Sequence, residues 1–149
     1  VQMRPEGGTA YGTLEWVAYA SNAFNTMVPF YADVDETPEY LANTTGEVST
    51  GNIYWTSRMI AAMADASYGK SLFHVEHYQE NVLAKSHALI NQYDALLADE
   101  KDPEKQMELK RKANRKVAEM VQKEASATLK KVLYELSNQM KNSYARSDV

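Results

Sequence analysis

Glycine and proline are confined almost entirely to one end of this 149-residue chain. All six Gly and three of the four Pro (Pro5, Pro29 and Pro38) lie within residues 1–69, and only Pro103 comes later. A stretch from 70 to 149 with no glycine and one proline has little in it to interrupt a helix. The chain therefore divides into a strand, turn and short-helix part, residues 1–69, and a helical part, residues 70–149. Charge divides in the same sense. Residues 1–100 carry four basic and 13 acidic side chains, net −9, and residues 101–149 carry 12 and seven, net +5, which together give the −4 of the whole chain.

In the helical part, Ser71 is expected to cap a helix reaching about Asp99. Its apolar stripe runs through Leu72, Val75, Tyr78 or Gln79, Val82, Ser86, Leu89, Ile90, Tyr93, Leu96 and Leu97. Asp102-Pro103-Glu104 is a restart signal: a cap, a first-turn proline, then an acid at the positive end of the helix dipole. The last helix is expected from Pro103 to about Lys141, with Leu109, Ala113, Val117, Met120, Val121, Leu129, Val132, Leu133, Leu136 and Met140 facing inward. The short Glu100-Lys101-Asp102 link makes the two an antiparallel hairpin. Such a last helix would be about 58 Å long, against a diameter of about 40 Å for a compact domain of this length. Together with a start at Val1-Gln2-Met3, this leads to the expectation of a fragment of a larger protein.

In the first part, Thr13-Leu14-Glu15-Trp16-Val17-Ala18-Tyr19 reads as a strand with Leu14, Trp16 and Ala18 on one face and Glu15, Val17 and Tyr19 on the other. Both faces are partly apolar, the pattern of a strand covered on two sides. A second extended piece runs through Met27-Val28-Pro29-Phe30-Tyr31, which Pro29 keeps at a sheet edge or a bend. One or two helical turns start at Pro38 with Thr37 as cap, and a helix from about Asn52 to Ser67 is ended by Gly69. Ile53, Trp55 or Thr56, Met59, Ile60 and Met63 are its buried positions. The fold class is α+β and predominantly helical: a few N-terminal strands, a helix, then a long antiparallel helical hairpin. Two strands do not make a stable sheet in water, so the sheet is expected to take neighbours from residues outside this sequence, or its segment to be loosely ordered.

Composition excludes several chemistries. With no Cys there is no disulfide framework, no thiolate zinc site and no thiol nucleophile within these residues. No apolar run approaches a membrane span, so the chain reads as soluble, with no membrane and no nucleic-acid partner. His74, His77 and Glu80 lie near one face of a helix, but their spacing departs from a zinc-protease pattern and they read as a helix surface rather than a metal site. His87 stands about 15 Å further along the helix than His77 and joins no common site with it. The basic run Lys110-Arg111-Lys112 with Arg115 and Lys116 has no interleaved aromatics, and reads as a solvated face docking on the acidic first part. Glu15 is either an acid or base on a strand or, more simply, a partner for Arg4 or Arg58. The polar loop Ser21-Asn22-Ala23-Phe24-Asn25-Thr26 follows a buried strand, a common place for substrate contacts.

Certain words of the sequence resemble a known family. Gly12 to Ala18, Val28 to Tyr31, Thr45-Gly46-Glu47, Tyr54-Trp55 through Arg58, Ile60 to Ala62 and Ala64 to Ala66, then Tyr78-Gln79, Ala84-Lys85 and Ile90 to Asp94, resemble the C-terminal part of dipeptidase A type bacterial peptidases. These are N-terminal-nucleophile (Ntn) cysteine hydrolases. The resemblance covers about residues 4–98 and implies a four-layer fold with two sheets between helical layers. It implies a cysteine dipeptidase of the cytoplasm, acting on dipeptides without a cofactor, whose nucleophilic Cys lies upstream of Val1. All 149 residues then form a single C-terminal fragment, inactive by itself, completed by the upstream part of the same protein and compatible with a homo-oligomer. Arg4, Ser21, Asn22, Asn25 and Thr26 are the candidate substrate-binding residues, and no catalytic residue is assigned. The competing expectation is a non-catalytic helical-hairpin module whose apolar stripe pairs with another subunit.

Overall fold

The computed structural model describes residues 1–20, 23–42 and 45–147, the last seven by backbone alone. A short strand β1 (Gln2–Met3), a 3-10 turn at Pro5–Gly7 and a single turn α1 (Gly8–Tyr11) lead into β2 (Thr13–Val17) and β3 (Val28–Tyr31). These strands form one antiparallel sheet in the order β1-β2-β3, with Gln2 opposite Leu14 and Leu14 opposite Tyr31. The two expected strands are therefore present, and β3 is an edge strand as its proline requires. The sheet gains its third strand from within the chain, because β1 is closed back onto β2 by the turn between them. Gly12 makes that return possible: a Cβ there would stand 2.2 Å from the Gly8 carbonyl oxygen.

Four helices follow: α2 (Glu39–Ala42), α3 (Ile53–Ala66), α4 (Tyr68–Asp99) and α5 (Pro103–Ser147). Asn52 caps α3, its Oδ1 accepting from the Trp55 amide at 2.9 Å. The break between α3 and α4 falls at Ser67, not at the expected Gly69 and Ser71. The Ser67 hydroxyl bonds the Met63 carbonyl at 2.6 Å and the Ser71 hydroxyl at 2.6 Å. A serine that bonds its own preceding turn competes with the helix, and Ser67 leaves the helical region (φ −128°, ψ 37°). Gly69 is thereby carried into the first turn of α4, and Ser71 is buried inside that helix.

The hairpin of α4 and α5 forms as expected, joined through residues 100–102. Val75, Tyr78, Val82, Ile90, Tyr93 and Leu97 of α4 meet Ala113, Val117, Ala118, Val121, Ala125 and Val132 of α5 in the core. Three assignments in the two stripes are corrected, since Leu96, Leu133 and Met140 are exposed. Leu96 and Leu133 each stand beside a residue that takes the inward place, Leu97 and Val132, about 100° round the helix. Met140 lies near the end of an α5 that is 13 residues longer than α4, from 45 against 32. At 1.5 Å per residue α5 measures about 68 Å, unbroken.

The hairpin covers one face of the sheet. Leu14 and Tyr31 are buried against it, and Trp16 meets the His87 ring of α4 at 5.9 Å. On the outer edge of β3, the Tyr31 amide donates to Asn114 Oδ1 at 2.9 Å and Asn114 Nδ2 donates to the Tyr31 carbonyl at 3.1 Å. One side chain of α5 thus does what a fourth strand would do, and closes that edge. Among the described residues no helix is long and apolar enough to cross a membrane.

Candidate functional site

The face of the sheet opposite the hairpin carries the alternate residues of β2, Glu15 and Val17, with Tyr19 just beyond them. Next to it the chain leaves β3 and runs through Asp33, Asp35 and Glu36, and these acids meet the basic run of α5. Lys110 Nζ bonds Asp33 at 2.7 Å. Arg111 holds Asp35 through two bonds of 2.7 Å, and Arg115 holds Glu36 through bonds of 2.7 and 2.6 Å. The bidentate pairs fix orientation as well as distance. Hydrogen bonding to Arg111 and to Arg115 holds the Asp35 and Glu36 carboxyls below their ordinary range. The basic run is therefore a docking face for the acidic first part, as its composition suggested.

This clamped loop walls a cavity of about 260 Å³ against the sheet. Phe30, Val34 and Leu41 supply apolar wall, Glu15 and Tyr19 line the sheet side, and Glu36 and Thr37 stand on the loop side. Burial, and then the charge of Glu15, push the Tyr19 hydroxyl above the ordinary tyrosine range, so it is a proton donor at neutral pH. Among the described residues Glu15 has no hydrogen-bond or ion-pair partner. Its expected partnership with Arg4 or Arg58 is not formed. Arg58 bonds the Tyr54 hydroxyl at 3.0 Å and lies 4.6 Å over the Trp55 ring. Arg4 faces α4, on the other side of the sheet.

Arg4 forms a compact cluster there. Its guanidinium makes bonds of 2.5 and 3.0 Å to the two oxygens of Asp94, and it also donates to the Tyr11 carbonyl. The Tyr31 hydroxyl donates to the same carboxylate at 2.8 Å. Burial would lower Arg4, but the bond to Asp94 and its charge outweigh this and leave Arg4 raised. Burial first, then Asp94, drive the Tyr31 hydroxyl far above its usual range. This arrangement ties β1, β3 and α4 together, and it leaves Arg4 no paired fork free for a ligand.

The other sequence candidates do not gather around the cavity. Asn25 is buried; its amide donates to the Ser57 carbonyl at 3.1 Å, and its backbone carbonyl accepts from Gln79 at 2.9 Å. Thr26 bonds the Met27 carbonyl at 3.4 Å. Ser21 and Asn22 lie outside the described residues. The histidines also stay apart: His74 meets Glu135 at 3.2 Å, His77 packs on Phe73 with ring centres 4.3 Å apart, and His87 packs on Trp16. Among the described residues no three of His, Cys, Asp and Glu are placed to hold a metal ion. Sequence reasoning overlooked Asp94, Asn114 and Tyr19. The first two act across more than 80 residues of chain, which no local pattern reveals, whereas Tyr19 was visible as the partner of Glu15 on one strand face.

Comparison with known proteins now bears on this arrangement. The model of peptidase family C69 matches residues 1–81, which include the whole sheet and every cavity residue contributed from before α4. The chain belongs to peptidase family C69. A probable dipeptidase A of Streptococcus pyogenes serotype M18 is 40% identical over 150 residues, covering 99% of this chain and 30% of that protein. A dipeptidase of Bifidobacterium longum is 33% identical, covering 99% of this chain and 35% of its own length. A probable dipeptidase B of Lactococcus lactis is 32% identical over 81 residues, which is 54% of this chain. The C69 chain thus spans about a third of the length of the first two relatives. Their similarity also takes in α5, beyond the residue 98 at which the resemblance read from the sequence stopped.

Proposed function

We propose that these residues are the C-terminal part of a cysteine dipeptidase, in which they hold substrate and brace the sheet while the nucleophile comes from outside them. The observation that carries this reading is the 40% identity to a probable dipeptidase A across 99% of the chain. In such an enzyme a thiolate attacks the peptide carbonyl, an oxyanion forms, the amine leaves, and water releases the acyl group. No Cys is present in these 149 residues, so the chain alone is inactive in this reading. Its contribution is the cavity beside β2, walled by a loop that three ion pairs hold against α5. Arg4, whose guanidinium is bound to Asp94, and Asn25, whose side-chain amide donates to the Ser57 carbonyl, support the sheet and its loops in this reading; Ser21, Asn22 and Thr26, which follow β2 in the sequence, are proposed as further substrate contacts. The enzyme works in the cytoplasm, on free dipeptides, without a cofactor.

A second reading is favoured by one observation. Phe73, Leu133, Tyr134 and Met140 are exposed along α4 and α5, as a hairpin that pairs with another subunit would require. The two readings separate in a replacement experiment. These 149 residues are exchanged for the matched third of the Bifidobacterium longum dipeptidase, and hydrolysis of Leu-Leu and Ala-Ala is followed. Turnover that vanishes when the proposed N-terminal Cys is changed to Ala supports the dipeptidase reading. A folded chimera that cleaves no dipeptide refutes it and leaves the pairing module.

A further inference from the structure

We propose that Glu15 is the anchor for the protonated α-amine of a free short peptide, and that the apolar wall beside it receives the peptide's first side chain. This rests on the dipeptidase reading for its substrate and on the cavity for its chemistry. Glu15 projects from the sheet face away from the hairpin and lines the cavity with Val17 and Phe30. Every other formal charge in the lining is spent: Glu36 is held by both arms of Arg115. Asn114, also in the lining, is committed to the Tyr31 backbone through both its oxygen and its nitrogen. The cavity therefore offers one uncompensated carboxylate, one phenol kept protonated at Tyr19 and an apolar surface made by Phe30, Val34 and Leu41.

A ligand that complements this set carries one cationic amine, a carbonyl within reach of a phenolic donor and an apolar side chain. That is the amino end of an unblocked peptide. A metal ion is a poor match, because one carboxylate and a phenol are too few oxygen ligands for it. A nucleotide or phosphate is a worse match, since the only free charge is negative. The loop wall is fixed before binding by the bidentate arginine pairs, so little ordering opposes the ligand. An N-blocked peptide loses the charge that Glu15 requires, so the site selects free amino termini.

The binding claim is tested without relying on catalysis. The 149-residue chain is titrated with leucinamide, a cation that lacks a carboxylate, and separately with N-acetyl-leucinamide, while backbone amide NMR shifts are recorded. The expected result is saturable shifts at Val17, Phe30 and Val34 with leucinamide, at least about tenfold weaker with the acetylated probe, as for loss of one charge-assisted hydrogen bond. Glu15→Gln should weaken leucinamide by a similar factor while its amide spectrum and melting curve match the parent chain. Equal binding of the two probes, unchanged binding to Glu15→Gln, or no binding of leucinamide would each overturn the proposal.

In the chimeric enzyme, Glu15→Gln should raise KM for Leu-Leu about tenfold with kcat changed less than about threefold. A fall in kcat at constant KM would contradict an anchoring role. If the chimera cleaves no dipeptide while leucinamide still binds through Glu15, the dipeptidase reading fails and the amine site stands. If it cleaves dipeptides and Glu15→Gln leaves KM unmoved, the reverse holds.

Discussion

Asn114 is a single side chain on which the joint between helix and sheet depends, and Asn114→Ala gives that claim a magnitude. Asn114 is 4% exposed and bonds both the amide and the carbonyl of Tyr31. Alanine leaves those two backbone groups on a strand edge that α5 still covers. An orphaned buried polar group costs about 1–3 kcal/mol. Two such groups, one a carbonyl that water reaches more easily, amount to about 3 kcal/mol. With a urea m value of about 2 kcal/mol/M, the midpoint should fall by about 1.5 M. The melting temperature should fall by about 6–12 °C. Exchange of the Tyr31 amide should accelerate ahead of global unfolding, because its bond is the one removed. Asn114→Asp sharpens the test. A carboxylate still accepts from the Tyr31 amide but faces the Tyr31 carbonyl with negative charge, so its pKa is raised by burial and repulsion. Its penalty is then present at neutral pH and relieved in part as the pH falls through that raised value, when the acid can donate to the carbonyl. An Asn114→Ala midpoint within about 0.3 M of the parent would refute the reasoning, since the edge would then be satisfied some other way.

Other consequences are equally direct. Leu97→Ala should cost about 3 kcal/mol in urea unfolding, because Leu97 is fully buried between the hairpin arms, whereas Leu96→Ala, at an exposed neighbour, should change stability by less than about 0.5 kcal/mol. In a double-mutant cycle, Arg4→Ala and Asp94→Ala should each destabilise by about 2–3 kcal/mol, and the double variant by clearly less than the sum, since each single change strands the other charge. The depressed carboxyls of Asp35 and Glu36 make loop attachment dependent on acid. A lowered folded-state pKa contributes stability above the unfolded value, so attachment is intact above about pH 4.5 and is lost progressively as the pH falls through the lowered values. The protection of the Val34 amide relative to its intrinsic exchange rate at each pH should therefore fall in acid, and also in 1 M salt at neutral pH, where the exposed pairs are screened.

Much of the helical part was legible because it depends on local rules. The absence of glycine after Gly69 and the Asp102-Pro103-Glu104 signature locate both long helices and their antiparallel turn. The charge division anticipated the docking of α5 on the acidic loop, although not which acid meets which base. Failures arose where a side chain overrode a backbone tendency or acted at long range. Ser67, with its hydroxyl bonded back into α3, ends that helix in place of the more conspicuous Gly69. β1 is two residues long and exists through its closure on β2, so no alternation announces it. Arg4, read as a substrate contact or as a partner for Glu15, is bound instead to Asp94, 90 residues away. Asn114 sits inside a basic run whose charges drew attention away from its amide. For Glu15, the sequence offered an acid or base on a strand or a partner for Arg4 or Arg58, and the informative feature is a carboxylate with no partner among the described residues, beside a cavity.

The most direct measurement of the central claim, that this segment holds substrate but does not carry the chemistry, is dipeptide hydrolysis by the 149-residue chain alone. Circular dichroism and a cooperative melt first establish that the helical hairpin is folded. Release of amino acids from Leu-Leu and Ala-Ala is then followed over several hours. The account predicts a folded chain with no turnover above the buffer. Turnover that survives repeated purification and disappears with Glu15→Gln or His87→Ala would contradict it, because the reaction would then be carried by residues here assigned to binding and packing.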